Sequence, residues 1–111
     1  MAKEAIYVMG DDRLDFTATA DVKVGEIVPM GVVGVGVALN DIDTGKSGVL
    51  KTKGVFNVVA KTGEAFTLWD VLYWDDTANV LTKTDTDNTR AGIAVVAKAA
   101  ADAVAVIRLN Y

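Results

Sequence analysis

Between Leu14 and Val24 every even position is apolar and every odd one is polar: Leu14, Phe16, Ala18, Ala20, Val22 and Val24 alternate with Asp15, Thr17, Thr19, Asp21 and Lys23. A period of two sends alternate side chains to opposite faces of an extended chain, so the stretch predicts a half-buried strand with one wet face, broken if anywhere by a turn near Ala20–Asp21. This pattern constrains the fold more than any other, because it recurs. Pro29, the only proline, cannot donate to a sheet ladder and marks an edge or a strand end. In "VVGVGVAL" Val33, Val35, Val37 and Leu39 are bulky while Gly34, Gly36 and Ala38 are small, which leaves one face bare for a close neighbour.

After a turn at Asp43–Gly45 come two further strand-like runs, "GVLKTK" and "GVFNVVA", and then a turn at Lys61–Glu64. "FTLWDVLYW" leads through a five-residue loop, "DDTAN", into "VLTK", which reads as a hairpin. The last segment, "AGIAVVAKAAADAVAVIRLNY", is alanine-rich, as helices are, yet alternates at Ile93, Val95 and Ala97 and again from Ala103 to Leu109. Two strands joined near Lys98–Asp102 are expected, with a C-terminal helix as the competing reading. Strands every 8–12 residues with turn signals between them predict an all-β fold, a small single-domain β-barrel or β-sandwich with at most a short helix. No linker, low-complexity tail or internal repeat is evident, so residues 1–111 are expected to form a single domain.

Composition narrows the chemistry. Cysteine and histidine are both absent, which removes disulfides, thiolate metal sites, the usual general base and the commonest transition-metal ligand. The net charge of −4 and the scattered lysines and arginines oppose binding to a phosphate backbone, so no nucleic-acid partner is expected. Half of the residues are hydrophobic (51%), yet none of the runs reaches the roughly 18 residues of a membrane span. No membrane association is expected, and "MAKEAIYVMGDD" lacks the apolar region of a secretory signal.

Two motifs imitate ligand sites. Gly45–Lys46–Ser47 has the ending of a P-loop, but Asn40 stands where its first glycine belongs and no helical pattern follows to hold the phosphate. The run "TDTDNT" alternates Asp85 and Asp87 like a calcium loop, but Arg90 replaces the required glycine and Val96 the bidentate glutamate. Neither a metal nor another cofactor is expected. Gly45 is read as a turn glycine with positive φ, Asp43 as the residue of an Asx-turn and Lys46 as a solvated side chain.

The order of these pieces is similar to a known pattern. Val24–Gly25–Glu26 precedes an apolar strand, Val35–Gly36–Val37–Ala38 precedes an acidic turn, and Gly54–Val55–Phe56 precedes Lys61. Val71–Leu72–Tyr73–Trp74–Asp75 follows at the hairpin, and Val106–Ile107–Arg108–Leu109 closes the chain. Over nearly its whole length the sequence resembles the tailed-phage capsid cement, or head-decoration, family, departing from it in carrying Trp69–Asp70 where Gly-Asp is common. The resemblance implies a non-enzymatic β-rich module, often a homotrimer, that is assembled in the host bacterial cytoplasm, sits on the capsid exterior of the virion and bridges neighbouring major capsid protein subunits.

Residues suited to such an interface are the large aromatics Trp69, Trp74 and Tyr111, and Ile6, Tyr7 and Val8 within a 1–8 N-terminal docking arm. Tyr73 and Trp74 must point to opposite faces of one strand, so if one of them packs the core, the other is exposed or buried by a partner. Two other classes compete: an NTPase of recombinase type, suggested by Gly45–Lys46–Ser47 alone, and a glycan-binding module displayed on a virion, suggested by the aromatics and free carboxylates.

Overall fold

The computed structural model describes Ala5, residues 12–31 and residues 34–111. Among these residues there are nine strands and no helix: β1 (Arg13–Thr17), β2 (Ile27–Met30), β3 (Gly34–Ala38), β4 (Ser47–Lys51), β5 (Val55–Val59), β6 (Val71–Asp75), β7 (Val80–Thr82), β8 (Thr89–Ala94) and β9 (Val104–Leu109). They form two antiparallel sheets, one of four strands in the order β1-β4-β3-β2 and one of five in the order β5-β9-β8-β6-β7. The result is a sandwich, not a barrel. A parallel bridge from Ala60 to Leu81 draws the two ends of the five-stranded sheet together without zipping them.

Most sequence expectations hold. Pro29 lies on β2, an edge strand, where its missing N–H costs no ladder bond. The alanine-rich C-terminal segment is two strands joined by a turn at Ala99–Asp102, so the helix reading falls. The hairpin loop has four residues rather than five, because Asp75 pairs with Val80 inside the ladder. The Leu14–Val24 run breaks earlier than its alternation suggests: β1 stops at Thr17, and Val22 makes an isolated bridge to Ile42.

The structure also overturns the absence of a repeat. β1, β4, β3 and β2 follow the same order as β5, β9, β8 and β6, with β7 added at the edge. The registers correspond as well, since Ile27 opposite Val37 matches Val71 opposite Ile93, and Ala38 opposite Leu50 matches Ala94 opposite Ile107. Each half carries one antiparallel bridge beside a turn, Val22 with Ile42 in the first and Phe66 with Lys98 in the second. In the first half Gly25 N–H donates to Ala38 O at 2.8 Å; in the second, Trp69 N–H donates to Ala94 O at 2.8 Å. The chain is two copies of one four-stranded unit.

The two units pack front to back. On β3 Val35 and Val37 share a face, and they join the main core with Phe66, Leu72, Trp74, Leu81 and Ile107 of the second unit, Ile27 and Phe56 packing alongside. Ala18, Ala38, Ile42 and Leu50 on the other side of the first unit are buried outside that cluster. Full burial of each large aliphatic or aromatic side chain contributes about 1.5–3 kcal/mol, so the Val35–Val37 face holds the units together by ordinary apolar packing. Lys98 occupies in the second unit the place of Ile42 in the first. Though buried, its ammonium donates to the carbonyls of Glu64 (2.6 Å) and Ala99 (3.0 Å) and lies 4.9 Å from the Phe66 ring centroid, which meets its polar demand without a carboxylate.

Candidate functional site

The Gly45–Lys46–Ser47 stretch is a turn leading into β4. Gly45 has φ 79°, Lys46 N–H donates to Asp43 O at 2.9 Å, and the Lys46 side chain is exposed. The carboxylate that anchors this turn is Asp21 rather than Asp43: its Oδ1 accepts from Thr44 N–H (2.8 Å) and Thr44 Oγ1–H (2.9 Å). Asp41 returns the arrangement, accepting from Val24 N–H at 2.8 Å, so each turn of the first unit is tied down by an aspartate beside the other. The Thr44 hydrogen bonds hold the Asp21 carboxyl below its ordinary value, and those from Thr67 do the same for Asp70. For Glu64, burial pushes the carboxyl up, but the Lys83 N–H, the Thr82 hydroxyl and the charges of Lys61 and Lys83 outweigh it. All three carboxylates serve turns and loops.

These contacts make the turn a structural device. Lys46→Ala should change stability by no more than about 0.5 kcal/mol, because an exposed turn lysine makes little net contribution. Gly45→Val should cost about 1–2 kcal/mol through its positive φ alone, as nothing lies within 4 Å of the added Cβ. Urea midpoints of the two variants measure the contrast, and ATP–magnesium binding that Lys46→Ala abolishes would restore the phosphate reading. Among the described residues no cluster of three or more carboxylates could hold a metal.

Two features of the surface stand out instead. The first is a groove of about 700 Å³ between the units, with Val24, Ile27, Val37 and Leu39 on one wall and Phe56, Val58 and Trp74 on the other. Glu26, Asn57, Asp76 and Asn79 add polar groups to this otherwise apolar lining, and Gly25 contributes no side chain to it. The second is the outward face of β5 and β9. Val55, Val59 and Val104 are 60%, 54% and 52% exposed, with Val59 directly opposite Val104 in the ladder. In the first unit the corresponding positions hold Arg13, Thr17 and Ser47, as the pairings of β1 with β4 and of β5 with β9 show. The fold therefore accepts polar residues at these places, and the valines are a choice of the second unit.

The aromatic candidates separate. Trp74 is buried, with Nε1–H donating to Asp76 Oδ1 at 3.1 Å, and its body lines the groove. Tyr73 takes the opposite face and is half-buried. Trp69 is 63% exposed and stands at φ 73°, a conformation costly for any residue with a Cβ. Tyr111 is exposed, its ring 3.8 Å from the Arg108 guanidinium and its carbonyl oxygen accepting from Arg90 Nη2 at 2.8 Å. Ile6, Tyr7 and Val8 lie outside the described residues. The valine face is not among the residues expected from sequence, although "VFNVV" carries its signal: a half-buried strand needs only one apolar parity, and here the second parity, Val55, Asn57 and Val59, is apolar at two of its three positions.

No curated protein matches the chain. Residues 8–109 of the 111 match the phage cement protein family, and with a match of that span the chain belongs to that family.

Proposed function

We propose that this chain is a non-enzymatic structural component of the virion: a homotrimer, formed in the host cytoplasm, that binds the exterior of a phage capsid and cements contacts between neighbouring major capsid protein subunits. The observation that carries the reading is the exposed valine face of β5 and β9, built where the duplicated unit has Arg13, Thr17 and Ser47. Burying such a face against a capsid subunit gains about 25 cal/mol per Å² of apolar area removed from water. A trimer presents three such faces at once, so modest contacts add up to firm attachment, and binding that favours the closed lattice makes subunit separation under internal pressure more costly.

The duplication supplies a variant for the test. Val55→Arg, Val59→Thr and Val104→Ser together give the second unit the residues that the first unit carries at the corresponding ladder positions. Free-protein stability should change by less than about 1 kcal/mol, as expected of surface substitutions. Binding to isolated mature shells, followed by co-sedimentation, should fall at least about tenfold, the effect of losing roughly 1.4 kcal/mol of contact. Undiminished binding would count against this face and leave the 1–8 arm as the docking element, which deletion of residues 1–5 tests in the same assay.

A further inference from the structure

Among the described residues, the front-to-back packing of the two units leaves one of each matching surface without a counterpart packed on it. Within the chain, the turn and strand surface of the first unit, Val24, Gly25, Ile27, Val37 and Leu39, faces Phe56 and Val58 on β5 of the second. Shared registers carry each of these residues onto its counterpart. In the second unit the turn and strand surface becomes Leu68, Trp69, Val71, Ile93 and Val95. In the first unit the β5 surface becomes Leu14 and Phe16 on β1. Both free surfaces are apolar and in part accessible, with Phe16, Val71 and Val95 half-buried and Ile93 buried. Leu68 is 47% exposed, Trp69 63%, neighbouring Val96 52% and Leu14 36%.

We propose that copies of this chain associate head to tail, the Leu68–Trp69 turn of one copy packing on the Leu14–Phe16 face of the next, in repetition of the unit-to-unit contact inside the chain. This rests on the reading that the chain acts as an oligomer, and it names the surfaces that join the copies. Such a contact is heterologous, so it ends only by closing into a ring; three copies place six similar units around it. The one mismatch between the two interfaces gives Trp69 its role. Inside the chain the position belongs to Gly25, and a groove remains beside it. Between copies the same position projects an indole, which fills the equivalent space. That accounts for a tryptophan held at φ 73° where the first unit has a glycine at φ 86°. The turn is stiffened for the task, since Asp70 accepts from both Thr67 N–H and Thr67 Oγ1–H at 2.7 Å.

The test uses two single variants and their mixture, with mass measured by light scattering after size exclusion. Trp69→Asn removes the indole while keeping a residue that tolerates positive φ; Leu14→Lys places a charge on the opposite surface, on an edge strand. Wild-type protein should run as a trimer, and each variant should weaken association about thirtyfold or more, as loss of a buried aromatic or apolar anchor does. Mixing the two should restore one interface and stop at a dimer, because the intact turn of Leu14→Lys meets the intact β1 face of Trp69→Asn. A wild-type monomer overturns the proposal, as does a Leu14→Lys variant that keeps its full oligomeric mass or a mixture that shows no new species. Circular dichroism and urea midpoints confirm that both variants fold. Shell binding by the monomeric variants reads capsid docking separately, so loss of the head-to-tail contact and loss of capsid affinity give different results.

Discussion

Gly92→Ala should come close to abolishing the native state, with a loss of about 3–5 kcal/mol in urea unfolding, out of the 5–15 kcal/mol that a domain of this kind possesses. Gly92 lies in β8, opposite Leu109 of β9 and beside the irregularity in register between Leu72 and Tyr73. A Cβ there would sit 3.0 Å from the carbonyl carbon of Arg108 and 3.2 Å from the backbone nitrogen of Asn110, with the Arg108 oxygen closer still. No side-chain rotation relieves a clash with backbone. β9 would have to move away, and with it Ala105, Ile107 and Leu109, all buried in the core. Gly25→Ala is the control: its φ is 86° but nothing lies within 4 Å of the new Cβ, so only backbone strain of about 1–2 kcal/mol applies. A Gly92→Ala protein within about 1 kcal/mol of Gly25→Ala would show that the β8–β9 contact is looser than its geometry indicates.

The contrast between these glycines explains what the sequence could and could not reveal. Period-two alternation exposed the all-β class and the bare face of β3, and the missing N–H of Pro29 marked an edge or strand end, because each follows from local geometry. Gly34 and Gly36 were legible as places of close approach, and their partners prove to be Asn110 and Leu50. The partners themselves were not legible, since they lie 76 and 14 positions away along the chain. The duplication was hidden for a related reason. The bridge residues Val22 and Ile42 are 20 positions apart, whereas Phe66 and Lys98 are 32 apart, the insertion of β7 and its loop having broken any fixed period. Short likenesses remain, as between Gly36–Val37–Ala38 and Gly92–Ile93–Ala94 and between Val49–Leu50–Lys51 and Val106–Ile107–Arg108.

The candidate site was legible in part. Trp69 stood out as an aromatic, but its exposure depends on a turn whose shape is set by Asp70 and by the Ala94 carbonyl, neither of which marks a left-handed residue in sequence. Trp74 was equally conspicuous and lies inward. Their difference is one of strand parity: Trp74 shares a face with Leu72, whereas Trp69 precedes the strand and escapes its alternation. The valine face shows the reverse case, a candidate docking surface whose signal is an excess of apolar residues where one parity should be polar.

Asn110→Ala should cost about 3 kcal/mol, a large effect for a half-buried residue one position past the last strand. Its amide joins the two units: Oδ1 accepts from Val35 N–H at 2.8 Å, and Nδ2 donates to Val35 O and Thr52 O, each at 2.7 Å. Val35 is fully buried, so alanine would strand its N–H and C=O in an apolar core, at about 1–3 kcal/mol for each group. Gly34 is bare for the same reason, since a Cβ on it would collide with this amide. Asparagine also suits the backbone, which stands at φ 55°. Asn110→Asp sharpens the test through pH. A carboxylate keeps the acceptor for Val35 N–H but turns its second oxygen toward two carbonyls, so the folded state favours the protonated form and raises its pKa. The folded protein then binds more protons than the unfolded, and the variant should gain stability as pH falls from about 8 toward about 5. Wild type should not share that gain: Asp21, Glu64 and Asp70 have depressed values, so their stabilisation is lost only as pH drops below the ordinary carboxylate range. Urea midpoints at the two pH values decide the matter, and an aspartate variant with no gain at the lower pH would mean that Val35 and Thr52 do not rely on this amide.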